Sequence, residues 1–144
     1  ITSRPEDHGL DSRTVTYGWT EIADRCPETV RFFRDVFPYH TYQRVRYMLI
    51  EPGGYIAPHS DNVNNHLSAA VNISLNHPNN CRLTCVHGTV PFKDEGSIFL
   101  FNNHYQHAVH NNSNEDRYQM IVHGGWNQHW ETLVVNSYRK ALHG

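Results

Sequence analysis

The stretch Val45-Arg46-Tyr47-Met48-Leu49-Ile50, Glu51-Pro52-Gly53-Gly54, Tyr55-Ile56-Ala57-Pro58, His59-Ser60-Asp61 decides how the chain is read. Its first six residues are a β-strand, and Pro52-Gly53-Gly54 closes it with a turn. Tyr55 to Pro58 is a short second strand that delivers His59 and Asp61. In extended backbone, residues two apart point the same way with Cα atoms ~6.6 Å apart, so this imidazole and carboxylate are aimed at a common point.

Working outward, short strands follow at Leu67 to Leu75, Cys81 to Val86, Gly96 to Phe101, Gln106 to His110 and Arg117 to His123. The connections are rich in Gly, Pro and Asn, as tight turns require. Before the deciding stretch, Arg13 to Trp19 alternates apolar Val15, Tyr17 and Trp19 with polar neighbours, as a half-buried strand does. Pro27 to Val36 reads as the one helix: Pro27 suits its first position, Glu28 its positive end, and Pro38 stops it. Val30, Phe33 and Phe37 recur at helical spacing, which makes this a helix laid on a sheet. Ile1 to Asp11 is polar and without period. Seven or eight strands after one helix predict a mainly β fold, a sandwich or jelly roll. With no linker or internal repeat, residues 1–144 read as a single domain, a length that supports one core.

A formal net charge of −2 gives no nucleic-acid footprint. No apolar run reaches membrane-spanning length. The chain opens on Ile1, so any upstream targeting segment is out of view. Cys26, Cys81 and Cys85 form no paired framework. On one strand the last two lie ~13 Å apart, too far for a disulfide. That reads as a reducing, cytoplasmic setting.

The chemistry lies in spacing, since 12 histidines select nothing by abundance. A lone H-x-D is ordinarily a polar turn. Here it is followed by His107, just past the apolar run Ile98-Phe99-Leu100-Phe101, and by Arg117 ten positions later. Two imidazoles and one carboxylate suit non-haem Fe(II) with open coordination positions. His104, His107 and His110 do not ligate together on a strand, because His107 faces opposite to the other two. Cys81 and Cys85 lack a second ligand pair for zinc. His123 reads as a group that supports the ligands or touches substrate. Arg117 shares a strand face with Gln119 and Ile121. Turned inward it needs an anionic partner, which a dicarboxylate supplies; turned outward it pairs with Glu115 or Asp116.

Several pieces in order resemble the aspartyl/asparaginyl β-hydroxylase family of Fe(II)/2-oxoglutarate-dependent oxygenases. They are Tyr47 to Gly54, Ile56 to Asp61, Val71 to Leu75, Cys81 to Cys85, Gly96 to Asn103, Gln106 to Val109 and Asp116 to Trp126. The resemblance implies a double-stranded β-helix (a jelly roll, cupin-like) with one supporting N-terminal helix. It implies His59 and His107 as iron ligands and Arg117 on the distal carboxylate of 2-oxoglutarate. Asp61 departs from the best-known animal members, which carry glycine there, and completes a full facial triad. The Arg and His that the family often places on the next strand are here Ala70 and Asn72. Asn72 is expected to donate a hydrogen bond to the cosubstrate, and Met48 to approach it through its backbone. No catalytic side chain is called for beyond the ligands. The implied activity is dioxygen-dependent hydroxylation of a C–H on an amino acid, peptidyl Asp/Asn or similar small polar substrate, yielding succinate and carbon dioxide. The alternative is a non-enzymatic or zinc-loaded jelly-roll ligand-binding module. The asparagine-rich stretches Asn62 to Asn65 and Asn111 to Asn114 are expected as loops at the cavity mouth.

Overall fold

A computed structural model describes residues 17–61, 70–86, 88–92 and 96–143. The described chain is mainly β, with two four-stranded antiparallel sheets and two helices. The strands are β1 (Tyr39–Ile50), β2 (Tyr55–His59), β3 (Val71–Ser74), β4 (Cys81–Cys85), β5 (Gly88–Thr89), β6 (Ile98–Leu100), β7 (His107–Asn111) and β8 (Arg117–Trp126). The helices are α1 (Pro27–Asp35) and α2 (Gln128–His143), and a 3-10 turn at Glu21–Arg25 precedes α1. The first sheet has the order β1-β8-β3-β6 and the second β2-β7-β4-β5.

Period-2 alternation divides the first sheet into two working faces. Val45, Val71, Ile73, Met120 and Val122 point outward and pack with Phe33, Phe37, Tyr39 and Trp130 from the helix side. Phe33, Val45, Val71 and Val122 are fully buried there. Aromatic edges hold the layer together: Phe33 lies 5.1 Å from Phe37, and Tyr39 lies 5.4 Å from Trp130, ring centre to ring centre. The opposite face faces the second sheet. Ile50 and Phe99 pack there against Leu83, Val109, Phe92 and Ile56, forming a second, smaller apolar cluster.

Three elements differ from the sequence expectation. β1 starts at Tyr39, six residues before Val45. Its first half lacks clean alternation because register shifts fall between Tyr39 and Thr41 and between Tyr42 and Arg44, where the tyrosines turn toward α1. The single-helix expectation is corrected by α2. Asn127 caps it, its side-chain oxygen accepting from the Trp130 N–H at 3.3 Å. Thr132, Val134 and Val135 are β-branched, and Trp130 is the one buried side chain of α2, so the helical stripe is weakly written. Arg13 to Trp19 falls largely outside the described residues, and Trp19 makes an isolated bridge.

Asn111 was expected in a loop at the mouth but ends β7 fully buried. Its amide donates to the Ile50 and Glu115 carbonyls, both at 2.8 Å, and its oxygen accepts from Cys81 Sγ at 2.9 Å and Ser113 Oγ at 2.6 Å. This satisfied amide ties the ends of β1, β4 and β7 together. Asn112 to Asn114 line a separate depression with Asn79, Asn80 and Glu115. Asn62 to Asn65 lie outside the described residues.

Within the β1–β8 ladder, Gly124 marks a close approach of the two backbones. A Cβ at Gly124 would lie 2.2 Å from the Thr41 carbonyl oxygen, a backbone atom that cannot yield cheaply. Gly124→Ala is therefore expected to cost about 1–3 kcal/mol through overpacking. Thermal denaturation followed by circular dichroism checks this, and an unchanged melting temperature would contradict the close packing.

Candidate metal centre

Antiparallel pairing of β2 with β7 places His59 directly opposite His107. Their ring centres are 4.3 Å apart. Each imidazole is tied back through the same nitrogen: His59 Nδ1 donates to the Ala57 carbonyl at 2.9 Å, and His107 Nδ1 to the Tyr105 carbonyl at 3.0 Å. Both Nε2 atoms are thereby left as lone-pair donors, the tautomer a metal requires.

Asp61 follows β2 and completes the group. Its Oδ1 lies 3.6 Å from His59 Nε2. One ligand atom from each of His59, Asp61 and His107 can be chosen so that all lie within 4.8 Å of one another. Around one first-row ion with bonds of ~2.1 Å, neighbouring ligands sit ~3 Å apart, so closure needs side-chain movements of about an ångström. The residue types fit a metal, since two neutral imidazoles and one carboxylate suit ferrous iron.

Asn103 ends the family-like stretch Gly96 to Asn103, and nothing in the sequence assigns it a role. It is buried, its side-chain amide donates to Asp61 Oδ2, and its carbonyl accepts from the Asp61 N–H at 3.0 Å. Asn103 thus fixes the carboxylate from both main chain and side chain. Only a buried amide opposite an H-x-D would have signalled it, and that opposition is tertiary.

The group opens on a cavity of about 220 Å³ between the sheets. The first sheet lines it with Arg44, Arg46, Met48, Asn72, Ile121 and His123, and the second with Ile56, His59, Leu83, His107 and Val109. Asp61, Ala70 and Phe101 complete the wall. Asn72 is buried, and its oxygen accepts from Gln119 Nε2 at 2.9 Å while its amide leans on the Ala70 carbonyl at 3.3 Å. His110 points outward and stacks on Tyr55, as strand parity requires, and His104 is exposed in the turn before β7. The three cysteines are free.

Arg117 lies deeper, inward and only 3% exposed, so pairing with Glu115 or Asp116 at the surface does not occur. It does not line the cavity itself; Met48 and Asn72 mark the floor on its side. Its guanidinium carbon sits 5.7 Å from the centre of the Phe92 ring. Its Nε has no hydrogen-bond partner among the described residues. Burial pulls the guanidinium below its ordinary pKa, opposed by the nearby Cys81. A buried cation with an orphaned N–H is a group prepared for an anion.

Arg44 and Arg46 are the cavity-lining residues whose role the sequence did not disclose. Alternation along β1 turns both inward, as it does Met48. They face His123, which is 6% exposed. Burial, then Arg46 and Arg44, push the His123 pKa down to about 4, and Asp61 opposes them weakly.

A mainly β protein with a His/Asp/His group able to hold a metal in an inter-sheet cavity is the class defined by fold and site. The sequence profile of the aspartyl/asparaginyl beta-hydroxylase family matches residues 13–125, and the chain belongs to that family. No curated protein matches the chain. Among the described residues no helix is long and apolar enough to cross a membrane.

Two outcomes follow from the site. Asn103→Ala releases Asp61 and is expected to weaken divalent-metal affinity ~10–100-fold by titration calorimetry; unchanged affinity would show that Asp61 needs no support. His123 has a folded pKa of about 4 against an ordinary 6.5. The unfolded chain therefore takes the proton first, and stability is lost as pH falls from 6.5 toward 4. The contribution is about 3 kcal/mol, and His123→Gln is expected to flatten that limb in denaturant titrations across this pH range.

Proposed function

We propose that the protein is an Fe(II)- and 2-oxoglutarate-dependent oxygenase, built on a double-stranded β-helix, that hydroxylates a C–H of an amino acid, peptidyl Asp/Asn or similar small polar substrate. The observation that carries this reading is the convergence of His59, Asp61 and His107, with both imidazoles tied back through Nδ1. The strand orders β1-β8-β3-β6 and β2-β7-β4-β5 support the β-helix, since the chain passes repeatedly between the two sheets. Family membership supplies the hydroxylase class.

In this reading His59, Asp61 and His107 would hold the metal, and the cavity they line would admit cosubstrate and substrate. Arg117, held inward on β8, takes the distal carboxylate of the cosubstrate through its planar fork. Met48 and Asn72 border the path to it. Gln119 fixes the orientation of Asn72 and so which of its amide atoms faces the ligand. Leu83, Val109 and Phe101 form an apolar wall that excludes water from the reacting C–H. Iron held there would couple dioxygen to the oxidative decarboxylation of 2-oxoglutarate: one oxygen atom would leave in succinate, with carbon dioxide released, and the other would become the product's hydroxyl.

The test is succinate release from 2-oxoglutarate under air, with Fe(II), across a substrate panel. The wild-type protein is expected to form succinate, and His107→Ala to form none. Arg117→Lys keeps the charge and loses the fork, so its requirement for 2-oxoglutarate is expected to rise about ten-fold or more. Tight metal binding with no succinate from any substrate would overturn the reading in favour of a zinc-loaded ligand-binding module. A wild-type response from Arg117→Lys would remove the fork from the account.

A further inference from the structure

The outer half of the cavity holds a second set of polar groups that the metal centre does not use. Arg44 and His123 are direct partners across β1 and β8, and the register puts their side chains on the same inward face. Both are buried and both line the cavity. His123 Nδ1 has no hydrogen-bond partner among the described residues. Ala70 lines the same cavity and contributes only a methyl. The arginines that line the cavity, Arg44 and Arg46, both come from β1.

Register separates these groups from the deep end of the site. Arg117 pairs with Ile50, Gln119 with Met48, Ile121 with Arg46 and His123 with Arg44. Arg117 and His123 are six residues apart on one strand, ~20 Å between Cα atoms. A five-carbon keto diacid spans roughly two strand residues. Anchored at Arg117, its far carboxylate reaches toward the Gln119–Met48 row, and the Arg44–His123 row lies four residues, ~13 Å, further out. A guanidinium beside an imidazole N–H offers converging donors of the kind a carboxylate accepts.

Building on the hydroxylase reading above, we propose that Arg44 and His123 bind a carboxylate of the substrate, so that the substrate is an acid rather than a neutral molecule. The low pKa of His123 is in keeping with this, since a neutral ring keeps one N–H and one lone pair.

The test uses the full chain loaded with Mn(II) and 2-oxoglutarate, titrated calorimetrically with L-aspartate, L-glutamate and L-leucine, each against its α-carboxamide and, for the first two, its side-chain amide. At least one acid is expected to bind ten-fold or more tightly than its amide. Arg44→Gln and His123→Gln are each expected to erase that preference, and Arg44→Lys to keep part of it. Circular dichroism confirms that each variant is folded, and either glutamine variant alone suffices for the comparison. The proposal is overturned if no acid is preferred, if the preference survives both glutamine variants, or if the loss falls on 2-oxoglutarate affinity, which would assign the row to the cosubstrate. Failure of the wild-type protein to take up Mn(II) and 2-oxoglutarate together would count against the hydroxylase reading instead. The acid-over-amide comparison on metal-free protein would then still decide the role of Arg44 and His123.

Discussion

The pairing of His59 with His107 across β2 and β7 is the contact on which the site depends. A strand has a period of two, so a one-residue slip would turn one imidazole to the outside of the sheet and leave no shared point. The register is guarded at both ends of the ladder. Tyr55 pairs with His110 at the far end, where the Gly53 N–H donates to the Asn111 carbonyl at 2.8 Å and the Asn111 N–H to the Gly54 carbonyl at 2.9 Å. The Pro52-Gly53-Gly54 turn is thus stitched to the buried Asn111 hub, and Gly53 takes a φ of +75° that suits glycine. At the near end Asp61 is stitched to Asn103. A register slip would have to break both sets of bonds.

The first sheet does two jobs because alternate residues of its strands serve different layers. Val45, Met120 and Val122 bury apolar surface against α1 and Trp130, which is where the sheet gains stability. Their neighbours Arg44, Arg46, Gln119 and His123 face away from that layer and are free to be polar. The cost of burying arginine and histidine is carried by a sheet whose other face is already well packed. Val45, Met120 and Val122, each next in sequence to one or two of these cavity-side residues, are buried in the aromatic core.

Much of this was legible in sequence because it rests on local rules. Pro27, Val30 and Phe33 gave α1, and turn residues after Ile50 and before Cys81 bounded the strands. The spacing of His59, Asp61 and His107 pointed to a group that could hold a metal, and the structure brings the three together; the register shift between Ile56 and His59, which lets both line the cavity, was not legible. What local rules could not reach was the partner across the fold. Asn103 supports Asp61 from 42 positions away, and Asn111 reads as one more turn asparagine until Cys81, Ile50 and Glu115 surround it. Arg44 and Arg46 look like solvated charges on an alternating strand, and only the position of the second sheet makes their side the inside. The helix α2 was hidden by its β-branched residues and its slight burial.

The central claim is that three side chains from β2, the segment after it, and β7 close on one ferrous ion. X-ray absorption at the iron edge, on anaerobically Fe(II)-loaded protein, measures that directly. Two imidazoles and low-atomic-number oxygen donors in a single shell at ~2.1 Å are expected, with the imidazole signal halved in His107→Ala. A shell without imidazole scattering, or one unchanged by loss of His107, would contradict the account.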